Sequence, residues 1–419
     1  MLMKDTLQKY FQKKSIYTPH DCDVCEQLKK FSDICSTPKV AVVIPIKNEY
    51  PGIKDTLISL SVSAVRAKTT LHVVCVVNCH ENDNAKIKQN NSQTLSFLNE
   101  DEKIAGLFIS ALNLTSEGYY LPEKDGVGYA RKAGMDYALA SGSNVIACMD
   151  ADTLVAENYA EELLNFSRNH EKRKFALIPF RHQKAASEKL QQAINAYENY
   201  MMLHAEKLRE AGTPYWAPIL GPSIVCTAEG YCSCGGMNRR VSGEDFYFLQ
   251  SLIKLEISSG CAQFRAQVGE KGVCMQILDN RAYVQTDEAR APLQTDAACS
   301  PRLRYTPHFL NTEVYPSARI SDRVLFGTGP KMKQLISMVK IEYPVFPERC
   351  YEAVKEFIEK KESCQNELAG FMNKENFLSV WKKICVNNPS DPVKQEVAFH
   401  IWFDGLKIIR AIHAVESAL

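Results

Sequence analysis

The sequence predicts an α/β protein: a mainly parallel open sheet flanked by helices, with a C-terminal helical subdomain. Three observations predict it. Continuous apolar runs at 40–46, 71–77 and 145–149 have the length and β-branched content of strands buried on both faces. Stretches with apolar residues at helical spacing, 53–66 and 128–140, lie between them, and strands alternating with helices build parallel sheets. Beyond Lys331 the pattern turns almost wholly helical, with Leu335, Ile336 and Val339, then Trp402, Phe403, Leu406 and Ile409, at helical steps.

Taken in order, residues 1–36 form a charged N-terminal helical extension whose Leu7, Tyr10 and Phe11 are spaced to pack on the main domain. Residues 37–330 carry the α/β domain: strand 40–46, helix 53–66, strand 71–77, helix 91–98, a loop-rich segment near 118–128, helix 128–140, strand 145–149, helix 158–170, strand 175–179 and a long helix 185–210. Residues 331–419 form the helical subdomain, with plain core packing as its default role; an acceptor, a second subunit or a membrane surface are its other uses.

Bulk properties narrow the function classes. A formal charge of +1 over 419 residues calls for neither nucleic acid nor an anionic membrane as main partner. No run of 18 or more apolar residues provides a transmembrane segment, and the amino terminus lacks the apolar block of a signal peptide. The expectation is a cytoplasmic protein, compatible with a peripheral position at the inner membrane face. Many of its 15 cysteines, such as Cys75, Cys148, Cys226 and Cys274, lie in apolar runs, where a free thiol acts as a small hydrophobe. Cys22 and Cys25 with Cys232 and Cys234 make a weak zinc candidate, because the second spacing is too short.

The chemistry converges on strand ends. Asp150-Ala151-Asp152 follows the run 145–149 directly, so both carboxylates emerge at a strand's carboxyl end, where open α/β sheets place ligands. One intervening residue lets two hard oxygen donors reach one divalent cation carrying phosphates. Chance alone supplies an Asp-x-Asp about once in a chain of this size. Two other strands deliver polar residues to the same rim: Lys47, Asn48 and Glu49 after Pro45, and Asn78 before a polar stretch at 79–84. They either hold a base and ribose or form a proline-directed turn and helix start. Gly126 and Gly128 open a helix bearing Arg131 and Lys132, so they either offer amides and a guanidinium to a diphosphate or cap a solvated helix. Glu244 and Asp245 start another helix, where a general base and a helix cap are both open.

Together, Ile44-Pro45, Asn48-Glu49, Ala130-Arg131 with Gly134, Asp150-Ala151-Asp152, Gly235-Gly236 and Gly243-Glu244-Asp245, in that order, resemble the family 2 glycosyltransferases of the GT-A fold. The resemblance covers about residues 39–330. It implies a metal-dependent enzyme that moves a single sugar from a nucleotide-sugar donor, of UDP- or GDP-type, to a hydroxyl acceptor such as a glycan or a lipid-linked molecule. It places base and ribose near Pro45, Lys47, Glu49 and Asn78, the diphosphate near Arg131, and Mn²⁺ or Mg²⁺ on Asp150 and Asp152, with Asp150 also toward the donor. It gives Asp245 the role of general base in an inverting reaction, with Glu244 as the less favoured choice. His308 is the downstream candidate for a third metal ligand and, equally, an ordinary surface histidine. Arg319 and Arg323, four apart, either clamp donor phosphates or tie the tail to the core.

Two alternatives belong to other classes. A sugar nucleotidyltransferase also uses metal-binding aspartates on an α/β sheet, but it opens with a glycine-rich basic loop, whereas residues 46–52 hold one glycine and one lysine. A catalytically silent scaffold has no need of Asp150, Asp152 and Asp245 together.

Overall fold

The computed structural model describes residues 2–18, 20–21, 40–100, 104–169, 173–260, 263–268, 271–278, 281–285, 290–292, 302–320, 328–338, 341, 343–361 and 365–419. In chain order the elements are α1 (Leu2–Lys13), β1 (Val40–Ile46), α2 (Ile53–Arg66), β2 (Leu71–Asn78), α3 (Ala85–Leu98), β3 (Leu107–Leu114), α4 (Val127–Ala140), β4 (Val145–Cys148), β5 (Leu154–Val155), α5 (Tyr159–Asn169), β6 (Phe175–Leu177) and α6 (Glu188–Ala211). After them come β7 (Ile224–Thr227), α7 (Ala228–Ser233), α8 (Glu244–Ser258), β8 (Gln263–Val268), β9 (Lys271–Leu278), β10 (Arg281–Gln285), β11 (Arg290–Pro292), β12 (Arg302–Arg304) and β13 (Val314–Tyr315). Six helices close the chain: α9 (Thr328–Ser337), α10 (Glu348–Lys360), α11 (Gln365–Lys374), α12 (Phe377–Asn387), α13 (Pro392–Trp402) and α14 (Gly405–Glu416).

The main sheet has the order β3-β2-β1-β4-β7-β6, with β1, β2, β3 and β4 parallel and β7 antiparallel to both its neighbours. Every residue of β1, β2 and β4 is buried, which is why these strands read as unbroken apolar runs. β3 was hidden in the sequence: it is the edge strand, mostly half-buried, and Ser110 and Asn113 interrupt its apolar pattern. Ser110 has its own purpose, since its hydroxyl meets His72 Nε2 of β2 at 2.9 Å and gives that buried nitrogen a partner.

Helix α4 lies flat on β1 and β2. A Cβ at Gly134 would run into Val43 and stand 2.7 Å from Val76 Cγ2, so only glycine lets the helix approach this closely. Gly134→Val is expected to lower the unfolding free energy by about 1–3 kcal/mol through overpacking. An unchanged urea midpoint would refute the close approach.

The α1 segment packs on the same unit through a buried polar knot. Asp136 of α4, fully buried, accepts from Tyr10 Oη at 2.7 Å, Tyr231 Oη at 2.8 Å and the Ile16 amide at 2.8 Å, while Lys132 pairs with it at 2.9 Å. Burial first, then the Asp136 charge, holds the Tyr10 phenol far above its ordinary value. Gly236, at φ +78°, sits where any Cβ would strike the Tyr10 hydroxyl.

Contacts divide the chain into two compact units otherwise than at residue 330. The first comprises 1–196, 219–252 and 308–342; the second comprises 197–218, 253–307 and 343–419. The physical reason lies inside the second unit, where segments from mid-chain join the C-terminal helices in one core. Leu208 and Ala211 pack with Phe357, Phe371, Phe377, Phe399 and Phe403, whose rings meet edge to face at spacings such as 4.8 and 4.9 Å. The second unit also holds a five-stranded antiparallel sheet, β11-β10-β9-β8-β12, that the sequence pattern did not announce. Among the described residues no helix is long and apolar enough to cross a membrane.

Candidate active site

Strand β4 delivers Asp150 as expected. Met149 donates its amide to Val43 O at 3.0 Å, which ends the β1–β4 ladder and turns the chain outward. The Thr153 amide closes the turn on Asp150 O at 3.2 Å, Thr56 Oγ1 of α2 donates to Ala151 O at 2.9 Å, and Gln183 Nε2 donates to Asp152 O at 2.9 Å. The Asp-x-Asp backbone is therefore held from three sides. Both carboxylates keep partial exposure, 36% and 26% of their side chains.

Two arginines organise the carboxylates. Arg131 of α4, 3% exposed, donates from Nη2 to Asp150 Oδ1, from Nε to Glu244 Oε1 at 3.0 Å and from Nη1 to Met149 O at 3.3 Å. Burial opposes its charge, but Asp150 and Glu244 outweigh burial and hold Arg131 above the ordinary arginine value. The guanidinium expected beside a diphosphate is thus committed to protein acceptors. Arg319 joins the other pair: its Nη2 reaches Glu49 Oε1 and lies 2.8 Å from Asp152 Oδ2. It ties its own segment to the first strand's end and to the Asp-x-Asp. Arg323 lies outside the described residues.

Glu244 and Asp245 open α8. Burial first, then Asp245, pushes the Glu244 carboxyl up to about 7 against the pull of Arg131. Asp245 is likewise raised, by burial first and by Asp150, with Arg131 and the Phe246 amide opposing. Its Oδ1 accepts from the Phe246 amide at 2.7 Å, so it caps its own helix while remaining half-buried. The two acids differ in one respect: Glu244 is locked onto a guanidinium, and Asp245 is not paired that way.

The base-and-ribose candidates are braced rather than loose. Pro45 is buried in β1 opposite Val76, beyond the last β1–β4 pair. Asn78 Nδ2 donates to Ile46 O at 3.1 Å and Val76 O at 3.0 Å, clasping β1 to β2. Lys47 pairs with Asp83 at 2.6 Å; although burial raises Asp83, Lys47 and the His80 amide bring it below its ordinary value. Asn91 Oδ1 accepts from the Asn48 amide at 2.9 Å and its Nδ2 donates to Asn78 O at 2.9 Å, while Asn90 does the same for both backbone groups of Tyr50. Two adjacent asparagines in a helix were the available signal for this brace.

Gly128 does not present its amide outward: it donates to Arg240 O at 3.1 Å, and a Cβ there would stand 2.6 Å from Asn238 O, while one at Gly126 would stand 2.6 Å from Val241 Cα. They let residues 238–241 lie against the start of α4. His308 belongs to neither arginine cluster; its ring stacks on Phe166 of α5 at 5.9 Å, and its carbonyl accepts from Leu177 N at 2.8 Å. Among the described residues no three His, Cys, Asp or Glu side chains group as a metal-holding set. Cys22 and Cys25 lie outside the described residues, and burial pushes the thiols of Cys232 and Cys234 up to about 12, away from the thiolate a zinc ion needs. One neighbour of the Asp-x-Asp turn was missed altogether. Gly221 presses on the Arg131–Asp150 pair, and a Cβ there would lie 3.2 Å from both Asp150 oxygens.

No curated protein matches the sequence. Crystal structures of S. aureus TarS residues 1–349 are similar at 13% identity over 91% of both chains, with a TM-score of 0.36 alone and 0.37 in complex with UDP-GlcNAc. Residues 41–215 match the family model described as glycosyl transferase family 2. That span runs from β1 through Arg131 and the Asp-x-Asp to just beyond α6, and it includes the four parallel strands of the main sheet. Over this span, somewhat under half of its length, the chain is similar to the glycosyltransferases of family 2.

Proposed function

We propose that the protein transfers a single sugar from a nucleotide-sugar donor to a hydroxyl acceptor with inversion, using Asp245 as general base and a divalent cation held by Asp150 and Asp152. The observation that carries this reading is the convergence of Asp150, Glu244 and Asp245 on the buried Arg131 beside the Asp-x-Asp turn. With Glu49 and Asp152 on Arg319, the rim sets the carboxylates Glu49, Asp150, Asp152, Glu244 and Asp245 against the guanidiniums Arg131 and Arg319. A donor diphosphate meets an excess of negative charge there, and a cation resolves it. Two partly exposed carboxylates plus substrate phosphates fit Mg²⁺ or Mn²⁺, which keep few protein ligands. When bound, such an ion neutralises the charge on the departing nucleoside diphosphate.

The chain's own residues do the rest. Arg131 is a positioning residue: it fixes Glu244 and so leaves Asp245 as the carboxylate without a guanidinium bond. Asp245 takes the acceptor hydroxyl's proton, the oxygen bonds to the anomeric carbon, and the bond to the leaving phosphate breaks on the opposite face. A raised carboxyl is a better base at neutral pH than an ordinary one. Lys47, Glu49, Asn78 and Pro45 line the donor side of this reading, on loops that Asn90 and Asn91 keep in shape.

Thermal shift with UDP and GDP, with and without Mn²⁺, tests the assignment. A nucleotide at about 100 times its Kd is expected to stabilise the protein by about 2.7 kcal/mol, with the cation required. Asp152→Asn is expected to remove that cation-dependent gain and leave the unliganded melting temperature nearly unchanged. Cation-dependent binding that survives the substitution takes Asp152 out of the site. If neither nucleotide stabilises the protein under either condition, the donor assignment fails.

A further inference from the structure

A second cavity lies wholly within the second unit and shares no residue with the site above. It has a volume of about 520 Å³, between the last turn of α6, strand β12, and helices α10 and α13. That volume suits a small ligand of one or two sugar rings. Its apolar surface comes from Leu303 and Ile358, and Trp216 adds an indole whose Nε1 is anchored on Tyr305 O at 3.1 Å.

Among the described residues the charges around it do not cancel. Of the three lining glutamates, Glu359 pairs with Arg302 at 2.9 Å, Glu396 with Lys361 at 2.6 Å, and Glu210 lies 3.5 Å from Lys207. Arg304 and Lys355, both exposed, have no carboxylate at bridging distance among the described residues. Arg209 lies over the Trp216 ring at 5.8 Å, 3.9 Å from Glu206. Each lining acid is thus met by a cation, and Arg304 and Lys355 are left over to face the cavity. Guanidinium and ammonium groups without acids recruit phosphate oxygens, while an indole in a cavity that Thr213 and Thr306 also line suits a hydroxyl-rich ring.

We propose that this cavity binds a phosphate-bearing saccharide through Arg304, Lys355 and Arg209, with the sugar ring against Trp216. The site is independent of the donor assignment, because none of its residues belongs to the Asp150 or Asp152 clusters.

The chain has three tryptophans, so an indole ¹⁵N spectrum offers three signals, and Trp216→Phe assigns the one at the cavity. Titration with glucose 1-phosphate is expected to move that signal saturably and more tightly than inorganic phosphate or glucose does. The double variant Arg304→Gln/Lys355→Gln is expected to weaken glucose 1-phosphate at least about tenfold, the loss of charge-assisted hydrogen bonds. It is also expected to leave the Mn²⁺-dependent nucleotide shift unchanged. Glucose binding as tightly as its phosphate, inorganic phosphate binding as tightly as the sugar phosphate, a double variant that binds like the parent, or a Trp216 signal unmoved by every probe would each overturn the proposal. A missing nucleotide shift, in contrast, counts only against the donor site.

Discussion

Asp245→Asn is expected to retain cation-dependent nucleotide binding and to lower the rate of sugar transfer by about 10²–10⁴-fold, the usual contribution of a positioned general base. The amide keeps the size of the carboxylate and can still accept from the Phe246 amide, so the start of α8 stays formed. The pH profile gives a second readout. Because burial and Asp150 raise Asp245, the acidic limb of kcat/KM is expected above the ordinary aspartate value of 3.8, with activity falling as pH drops through it. The residual activity of the asparagine variant should lack that limb. Transfer at the parental rate in Asp245→Asn excludes the role, and Glu244→Gln then becomes the next variant to measure.

Arg131→Met is expected to have the largest effect on stability. It removes the one guanidinium shared by Asp150 and Glu244 and leaves Glu244, 5% exposed, without a counter-charge. Breaking a buried pair from one side costs about 3–5 kcal/mol. The sign with pH follows from the raised Glu244 carboxyl. Its folded value of about 7 lies above the ordinary 4.5, so its contribution to stability is fully present below 4.5 and is lost as pH rises through 7. Without Arg131 that carboxyl rises further, and the deficit against the parent protein grows toward alkaline pH. Urea unfolding at pH 6 and pH 8.5 measures it. An equal deficit at both values means that Glu244 is not the group left uncompensated.

The strands buried on both faces announced themselves because burial demands unbroken apolar residues, and their ends announced the rim where polar residues collect. β1, β2, β4 and the Asp150-Ala151-Asp152 turn were legible for that reason. β3 was not, since an edge strand buries one face and its pattern is correspondingly mixed. The pairing partners were also silent. Nothing in the local sequence of Lys47 points to Asp83, and nothing around Arg131 says that its N–H groups face Glu244 and Met149 rather than a ligand. The glycines at 126 and 128 illustrate the limit well. Their spacing suits an anion cradle, yet a segment far downstream covers the amide, and only three-dimensional proximity reveals that. His308 carried the chemistry of a metal ligand, and nothing in its local sequence announces the ring of Phe166 on which it stacks.

The bond from Gly128 to Arg240 joins the start of α4, which bears Arg131, to the short segment that leads into Glu244 and Asp245. The Asp245 side of the pocket is therefore joined backbone to backbone, while on the other side Arg319 reaches Glu49 and Asp152 through its side chain and the β5–β13 ladder joins the neighbouring segments. Side-chain exchanges at Glu49 and Arg319 therefore alter one wall of the pocket and leave both backbone joints in place, so Asp245 keeps its position while that wall is varied.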